Sequence, residues 1–202
     1  MDEKTTDNPP TVEASYLSGK LLLAMPGIGD PRFHRSVIFL CVHDEQGAMG
    51  LVINTEAPDI NFGQVIDNLG LQSDIEVDLD ALKLPVISGG PVEGSRGFLL
   101  HTAEFRHQDT IEISPEFSLT GTTDALQDII DGKGPDEALF ILGYAGWTAG
   151  QLEQELQQNA WLVLDPDPDL VFAPDIQAKW TLALDKLGLD PALLSSDTGG
   201  QA

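Results

Sequence analysis

The residue pair best suited to chemistry is Cys41 and His43, two apart in an apolar, β-branched segment, residues 36–43. Because the side chains of a strand alternate between its two faces, both would project from the same face. A thiol and an imidazole so placed could act as nucleophile and base. The same alternation places Val37 and Phe39 beside Cys41, and a free cysteine is usually a small buried hydrophobe. We therefore expect a structural pair, and no catalytic residue is assigned.

The histidines are the other candidates for acid–base or metal chemistry, and they are His34, His43, His101 and His107. None has the i, i+4 partner and neighbouring Glu of a helical zinc site. The acidic stretch 165–169 resembles the start of a calcium loop. However, Leu170 stands where that loop needs Gly, and Ile176 stands where it needs a bidentate Glu. We therefore expect no metal ion and no cofactor.

Three glycines fall within residues 143–150. Glycine is favoured where the backbone turns through positive φ or approaches another surface closely. The stretch therefore predicts a tight corner between a strand and a helix. Trp147 within it could stack on a ligand, or it could pack against Gln151 and Leu152 at the start of the helix. The second interpretation is favoured.

The helix after this corner has its own sequence signals. Thr148 and Gln151 have the spacing of a capping box, which predicts Thr148 as the N-cap. Glu153, Glu155 and Gln157 are expected to form the solvated face of the helix.

A second glycine-rich turn, Gly89-Gly90-Pro91, follows a predicted strand, as phosphate-binding loops do. It lacks the Lys of a P-loop, and Pro91 removes an N–H group that a phosphate cradle would use. Gly27 and Gly29 resemble the opening of a dinucleotide fingerprint, but no third glycine follows at the required position. We interpret the first segment as a tight turn and assign no dinucleotide site to the second.

The charge balance disfavours two classes of partner, nucleic acids and anionic membranes. Ten Lys and Arg stand against 33 Asp and Glu, for a net charge of −23. Nucleic-acid binding draws much of its affinity from Lys and Arg that neutralise phosphates, so direct nucleic-acid binding is disfavoured, as is an anionic membrane surface. The lone cysteine, Cys41, suits a reducing cytosol, and no apolar run nears the length that spans a bilayer. We expect a cytoplasmic protein.

The elements that must position these residues follow from local patterns. Residues 1–15 are predicted to be a disordered acidic lead without the apolar core of a secretory signal, and residues 16–202 a single domain. Strands are predicted at 20–25, 36–43, 49–54, 85–88, 97–102, 138–143 and 160–164, extended segments within 110–119, and helices at 62–69, 123–131, 149–159 and from Pro174 onward. Asn61 is the predicted N-cap of helix 62–69 and Gly70 its end. Residues 72–83 fit an acidic loop or an edge strand equally well.

Strands outnumber the helices with which they are interleaved, and no regular βαβ alternation results. The pattern favours an α/β (α+β) single domain with a compact, mixed, partly antiparallel β-core flanked by helices.

With these segments in order, the chain resembles the YqgE/AlgH family of bacterial proteins from about Leu17 to its end. The landmarks are Gly19-Lys20, Ala24-Met25-Pro26, Asp30 with Phe33, residues 47–54, Gly89-Gly90-Pro91-Val92, Gly97-Phe98, Leu100-His101, residues 143–155, Asn159-Ala160-Trp161-Leu162, Trp180 and Leu187-Gly188. The resemblance implies a single α/β domain. Members of the family are often labelled transcriptional regulators, and the resemblance carries over no reaction, cofactor or catalytic residue.

Three functions stay open. The leading hypothesis is a non-enzymatic binding or regulatory protein that acts through a protein partner. The second is a small-molecule binder or enzyme with its site at strand ends near His43, Asn54 and His101, and the third is a regulator that binds DNA directly. The residues expected to form a ligand or partner site are Asp30, His43, Asn54, Gly89, Gly90, His101, Trp147 and Gln151.

Overall fold

The computed structural model describes residues 16–73, 84–121 and 123–194, so the predicted lead and most of the ambiguous segment 72–83 lie outside it. The strands in this part of the chain are β1 Leu21–Ala24, β2 Val37–Asp44, β3 Gly47–Val52, β4 Val86–Ser88, β5 Val92–Thr102, β6 Ile111–Glu112, β7 Phe117–Thr120, β8 Ala138–Thr148 and β9 Trp161–Leu164. The helices are α1 Phe62–Leu69, α2 Thr123–Ile130, α3 Gln151–Gln157, α4 Pro168–Val171, α5 Lys179–Lys186 and α6 Pro191–Leu194.

The strands form one sheet in the order β6-β7-β5-β8-β3-β2-β1-β9, with β4 added alongside β8. The β4–β8 pair is parallel, and the other pairs between the named strands are antiparallel. The predicted hairpin of β2 and β3 is present, with Asp44 opposite Gly47 at its turn. The predicted mixed, partly antiparallel α/β domain is confirmed.

The sheet is strongly curled. Phe39 on β2 and Phe117 on β7 lie four places apart in the strand order, which is about 19 Å in a flat sheet. Their ring centroids are nevertheless 5.1 Å apart. The largest apolar cluster fills the space that this curl encloses, and Trp180 and Leu184 of α5 pack into it. Helices α1 and α2 cover a second cluster, and α3 covers a third.

The predicted corner at residues 143–150 is wrong, because β8 continues through it to Thr148. Gly143 has φ of +74° and lies so close to the neighbouring chain that an added Cβ would be 2.8 Å from the carbonyl oxygen of Gly90. Before Gly143 the strand pairs with β4 and β5, and after Tyr144 it pairs with β3. The glycine signal therefore marks a bend within a strand that joins the two halves of the sheet.

Helix α1 has the predicted boundaries, with Asn61 in a reciprocal capping box with Gln64 and Gly70 in the left-handed conformation. The last long helix begins at Lys179 rather than at Pro174. The carboxylate of Asp175 accepts the backbone N–H of Ala178 at 3.1 Å, and this local turn competes with the helix there.

The predicted N-cap of α3 is also wrong. Gly150 occupies the cap position in the left-handed conformation and makes no side-chain cap bond. One half of the capping box forms. In that half, the Gln151 side chain accepts the Thr148 N–H at 3.1 Å.

Candidate functional site

Three of the eight predicted site residues, Asp30, Trp147 and Gln151, line a single cleft of about 470 Å³. We call it the Glu155 cleft. It lies against the ends of β8 and β9, with α3 on one side and the loop that precedes β2 on the other. The side chains that shape it are Asp30, Arg32, Phe33, Trp147, Glu155 and Trp161.

The Glu155 carboxylate accepts hydrogen bonds from three side chains that line the cleft. Its Oε2 accepts the indole N–H of Trp147 at 2.9 Å and that of Trp161 at 2.7 Å. Its Oε1 accepts the amide of Gln151, one helical turn earlier, at 3.0 Å. A carboxylate has roughly four acceptor positions, so about one stays available to a ligand. The two indole rings meet edge to face with centroids 5.9 Å apart.

The mouth of the cleft carries an ion pair. Asp30 caps the short turn Pro31–Phe33 by accepting the Arg32 backbone N–H at 3.0 Å. The Arg32 guanidinium donates to the same carboxylate through Nε and Nη2, at 3.0 and 2.6 Å. These hydrogen bonds from Arg32 lower the pKa of Asp30. The guanidinium carbon lies 5.9 Å from the centroid of the Phe33 ring, so a carboxylate and an aromatic ring already hold a cation here.

His43 joins β2 to α3 and does not line the cleft. The Leu17 N–H donates to Nδ1 at 3.0 Å, so the neutral ring carries its proton on Nε2 and donates it to Glu153 Oε1, also at 3.0 Å. A hydrogen bond from its own backbone N–H is the main cause that lowers the pKa of Glu153, and the bond from His43 lowers it further. The buried imidazole therefore helps to position α3.

His101 is fully buried and lies inside the protein. Its Nδ1 donates to the carbonyl of Thr102 at 2.9 Å, and its Nε2 accepts the hydroxyl of Thr120 at 2.9 Å. The Thr120 hydroxyl is also 2.7 Å from that of Thr110. Burial lowers the pKa of His101, so the ring is held neutral within a closed hydrogen-bond chain.

Asn54 holds two backbone segments together. Its Oδ1 accepts the Val37 N–H and its Nδ2 donates to the carbonyl of Arg35, both at 2.8 Å. Arg35 has φ of +55°, which is unusual for a residue other than glycine. Both ends of the Asn54 amide are therefore used to anchor the chain as it enters β2.

The turn at Gly89 and Gly90 approaches other backbone closely. The Gly89 N–H donates to Leu142 at 2.7 Å and its carbonyl accepts the Val52 N–H at 2.9 Å. A Cβ on Gly90 would lie 2.3 Å from Tyr144 backbone atoms. Gly90 also lines a smaller cleft of about 200 Å³ that shares Arg32, Phe33 and Pro91 with the Glu155 cleft.

Cys41 is 6% exposed, and its Sγ lies 3.6 Å from the carbonyl oxygen of Phe39. Burial raises the pKa of its thiol well above the usual range, and both ring nitrogens of His43 are engaged elsewhere. In the structure both side chains are therefore engaged in contacts within the protein. Among the described residues no three His, Cys, Asp or Glu side chains are grouped as a metal site would require. No helix in the described ranges is long and apolar enough to cross a bilayer.

Sequence reasoning missed Glu155, which it placed on the solvated face of α3, and with it Arg32, Phe33 and Trp161. The available signal was a Gln at i−4, with Trp147 and Trp161 at the ends of the two strands that flank the helix. A buried indole N–H usually finds an acceptor, so an acidic residue between two such strands was a candidate partner.

The sequence profile of the AlgH-like family matches residues 21–192, which confirms the predicted resemblance. A UPF0301 protein of Bradyrhizobium diazoefficiens is 44% identical over 200 residues, covering 97% of this chain and 94% of the relative. A UPF0301 protein of Methylobacterium nodulans is 47% identical over 194 residues, covering 92% of this chain and 90% of the relative.

Two solved structures share the fold. The solution structure of the AlgH protein from Pseudomonas aeruginosa is similar over 98% of this chain and 100% of that chain, with a TM-score of 0.73 and 37% identity. The crystal structure of a Corynebacterium diphtheriae protein covers 93% of this chain and 91% of its own, with a TM-score of 0.64 and 20% identity.

Proposed function

The chain belongs to the AlgH-like family, and from that premise we propose that it is a non-enzymatic binding protein whose Glu155 cleft receives an arginine side chain of a protein partner. The observation that carries the proposal is the Glu155 carboxylate, which two indoles and a glutamine hold in place at the wall of the cleft. A fixed carboxylate with an acceptor position to spare is suited to binding a cation.

The charge of the cleft supports a cationic ligand. Its charged side chains are Asp30, Arg32 and Glu155, which sum to −1. The whole chain carries −23, so its field attracts basic partners and repels nucleic acid. For this reason a regulatory role through a basic protein segment is favoured over direct DNA binding.

The Asp30–Arg32 pair supports arginine in particular. The guanidinium of Arg32 uses two of its nitrogens on one carboxylate while lying over the Phe33 ring. Planar guanidinium groups suit this combination of bidentate and aromatic contact better than lysine does. Exposed ion pairs contribute little to stability, so a partner's arginine can displace Arg32 from Asp30 at little cost.

The cytoplasm is the proposed compartment, and the single, buried Cys41 supports it, because reduced cysteines are usual there. An enzymatic function has less support, since Cys41, His43 and His101 are occupied by structural contacts.

The test is a calorimetric titration with two octapeptides that are identical except that one carries two arginines and the other two citrullines. Citrulline keeps the shape of arginine without its charge. We expect saturable binding of the arginine peptide and at least a tenfold weaker affinity for the citrulline peptide. Repeating the titration at higher salt should lower the affinity for the arginine peptide, because salt screens the attraction between the charges.

The matched variants are Glu155→Gln and Glu153→Gln, the same substitution two residues apart on α3. Glu155→Gln should lower the affinity for the arginine peptide at least fivefold, and Glu153→Gln should leave it within twofold. Equal effects of the two variants, or equal binding of the two peptides, would overturn the proposal.

A further inference from the structure

A second cleft, of about 570 Å³, lies between α1 and α2 over β5 and β8. We call it the α1–α2 cleft, and we infer that it binds a small, neutral, largely apolar molecule. The inference is independent of the Glu155 cleft. The two share no lining residue among those that the structure describes.

The walls of the α1–α2 cleft are apolar. Its lining residues with large apolar side chains are Ile60, Val65, Leu69, Leu99, Leu126, Phe140 and Leu142. None of its 14 described lining residues is charged, although 21% of the chain is charged and about three would be expected by composition. A charged ligand would lose its hydration there without gaining an ionic partner. The ligand that fits is therefore neutral.

The polar atoms at the floor are already satisfied within the protein. The Thr120 hydroxyl is bonded to His101 Nε2 at 2.9 Å and to the Thr110 hydroxyl at 2.7 Å. Because His101 accepts the Thr120 proton, that hydroxyl has no second proton to offer a ligand. Polar neutral groups occur at the exposed rim, on Asn68, Ser95 and Thr123. The ligand is therefore apolar at its inner end and can carry a neutral polar group at the rim.

Two glycines of β5, Gly94 and Gly97, line the cleft. A Cβ on Gly97 would lie 2.8 Å from the ring of Phe140, so only glycine allows that ring to lie against β5. At the rim, a Cβ on Gly94 would meet nothing within 4 Å. The volume of the cleft is within the range typical of small-molecule sites, roughly 300–1,000 Å³, and the apolar Leu69 at its edge is 45% exposed.

The experiment uses two fluorophores with the same rings and different charge. N-phenyl-1-naphthylamine is neutral, and 1-anilinonaphthalene-8-sulfonate carries an added sulfonate. We expect the full chain to bind the neutral compound saturably, one per chain, with a blue-shifted emission. The anionic compound should bind at least tenfold more weakly. Equal binding of the two, or no saturable binding of the neutral one, would overturn the inference.

Gly94→Leu and Gly29→Leu make the same substitution in the two clefts, and at both positions an added Cβ meets nothing within 4 Å. Gly94→Leu should weaken binding of the neutral fluorophore at least tenfold, and Gly29→Leu should leave it within twofold. The reverse ranking would place the fluorophore in the Glu155 cleft and overturn the inference.

Methyl NMR spectra of the unmodified chain give a measurement that does not depend on either variant folding. On addition of the neutral fluorophore, the resonances of Val65, Leu99 and Leu126 should shift. Shifts confined to Leu152, on the buried side of α3, would overturn the inference. The arginine-peptide titration is a separate measurement, so the proposal for either cleft can be contradicted without affecting the other.

Discussion

The indole N–H groups of Trp147 and Trp161 donate to the same carboxylate oxygen, Glu155 Oε2. The two tryptophans lie on β8 and β9, which are four places apart in the strand order. One side chain of α3 therefore ties together two distant strands of the curled sheet. Glu155 serves stability as well as the proposed ligand site, and these two roles can be measured separately.

Glu155→Leu should lower the free energy of unfolding by roughly 2–5 kcal/mol, because it leaves two buried indole N–H groups without an acceptor. Glu155→Gln keeps an acceptor oxygen and should cost about 1 kcal/mol. Urea denaturation followed by circular dichroism measures both. The control is Gln157→Leu, on the exposed side of the same helix, and an equal loss in the control would contradict the assigned role of Glu155.

Lys179→Met should stabilise the protein by about 2 kcal/mol near pH 6.5. Lys179 is fully buried, its Nζ donates to the Val171 carbonyl at 2.6 Å, and burial lowers its pKa from 10.5 to about 8. A shift of this size costs roughly 3 kcal/mol when the group is charged. The lost hydrogen bond offsets about 1 kcal/mol of the gain.

The sign of the pH dependence follows from the lowered pKa of Lys179. Below pH 8 the amine is charged in both the folded and the unfolded state, so the full cost of burying its charge lowers the stability of the folded protein. Between pH 8 and 10.5 it is charged only when unfolded, so the unfolded state binds more protons and stability rises with pH. The advantage of Lys179→Met should therefore shrink from pH 6.5 to pH 10. Lys186→Met, an exposed change in α5, is the control, and a pH-independent advantage would refute the account.

Gly143→Ala should cost about 3 kcal/mol. The position has φ of +74°, and the new Cβ would lie 2.8 Å from the Gly90 carbonyl oxygen. The left-handed conformation alone costs a residue with Cβ roughly 1–2 kcal/mol. Gly146→Ala in the same strand should change stability by less than about 1 kcal/mol, because its Cβ would meet the Tyr144 ring at 3.5 Å. Thermal unfolding of the pair measures the difference, and similar melting temperatures would show that the bend tolerates a side chain.

The Cys41 thiol should react with a chromogenic disulfide reagent at pH 8 roughly a hundredfold more slowly in the folded protein than in the guanidinium-unfolded chain. The reason is its burial, which also raises the pKa of the thiol. Stopped-flow absorbance gives both rates. Rapid reaction of the folded protein would return Cys41 and His43 to consideration as a reactive pair.

The elements that local patterns specify were predictable. Asn61 and Gly70 bound α1 as expected, because capping and left-handed termini depend on a few neighbouring residues. The glycines of residues 143–150 misled the prediction, because a positive φ is compatible with a helix end, a turn or a bend within a strand. Which of these occurs at Gly143 depends on the approach of the Gly90 turn, which is distant in sequence.

Much of the candidate site was less predictable than α1, because it too depends on residues that are distant in sequence. Asp30, Trp147 and Gln151 were recognised as polar or aromatic groups near turns, and the fold brings them into one cleft. His101 was recognised by the same criterion, yet the fold buries it. Residue type and position at a strand end do not distinguish these outcomes, because burial depends on what packs over that end.

Family membership, the capped helix α1, the buried strands and the excess of negative charge could all be predicted from the sequence alone, because each depends on composition or on residues close together in the chain. The position of Glu155 between two tryptophans could not. It exists because the sheet curls until β8 and β9 both reach α3, and that curvature is the summed result of contacts between residues far apart in sequence.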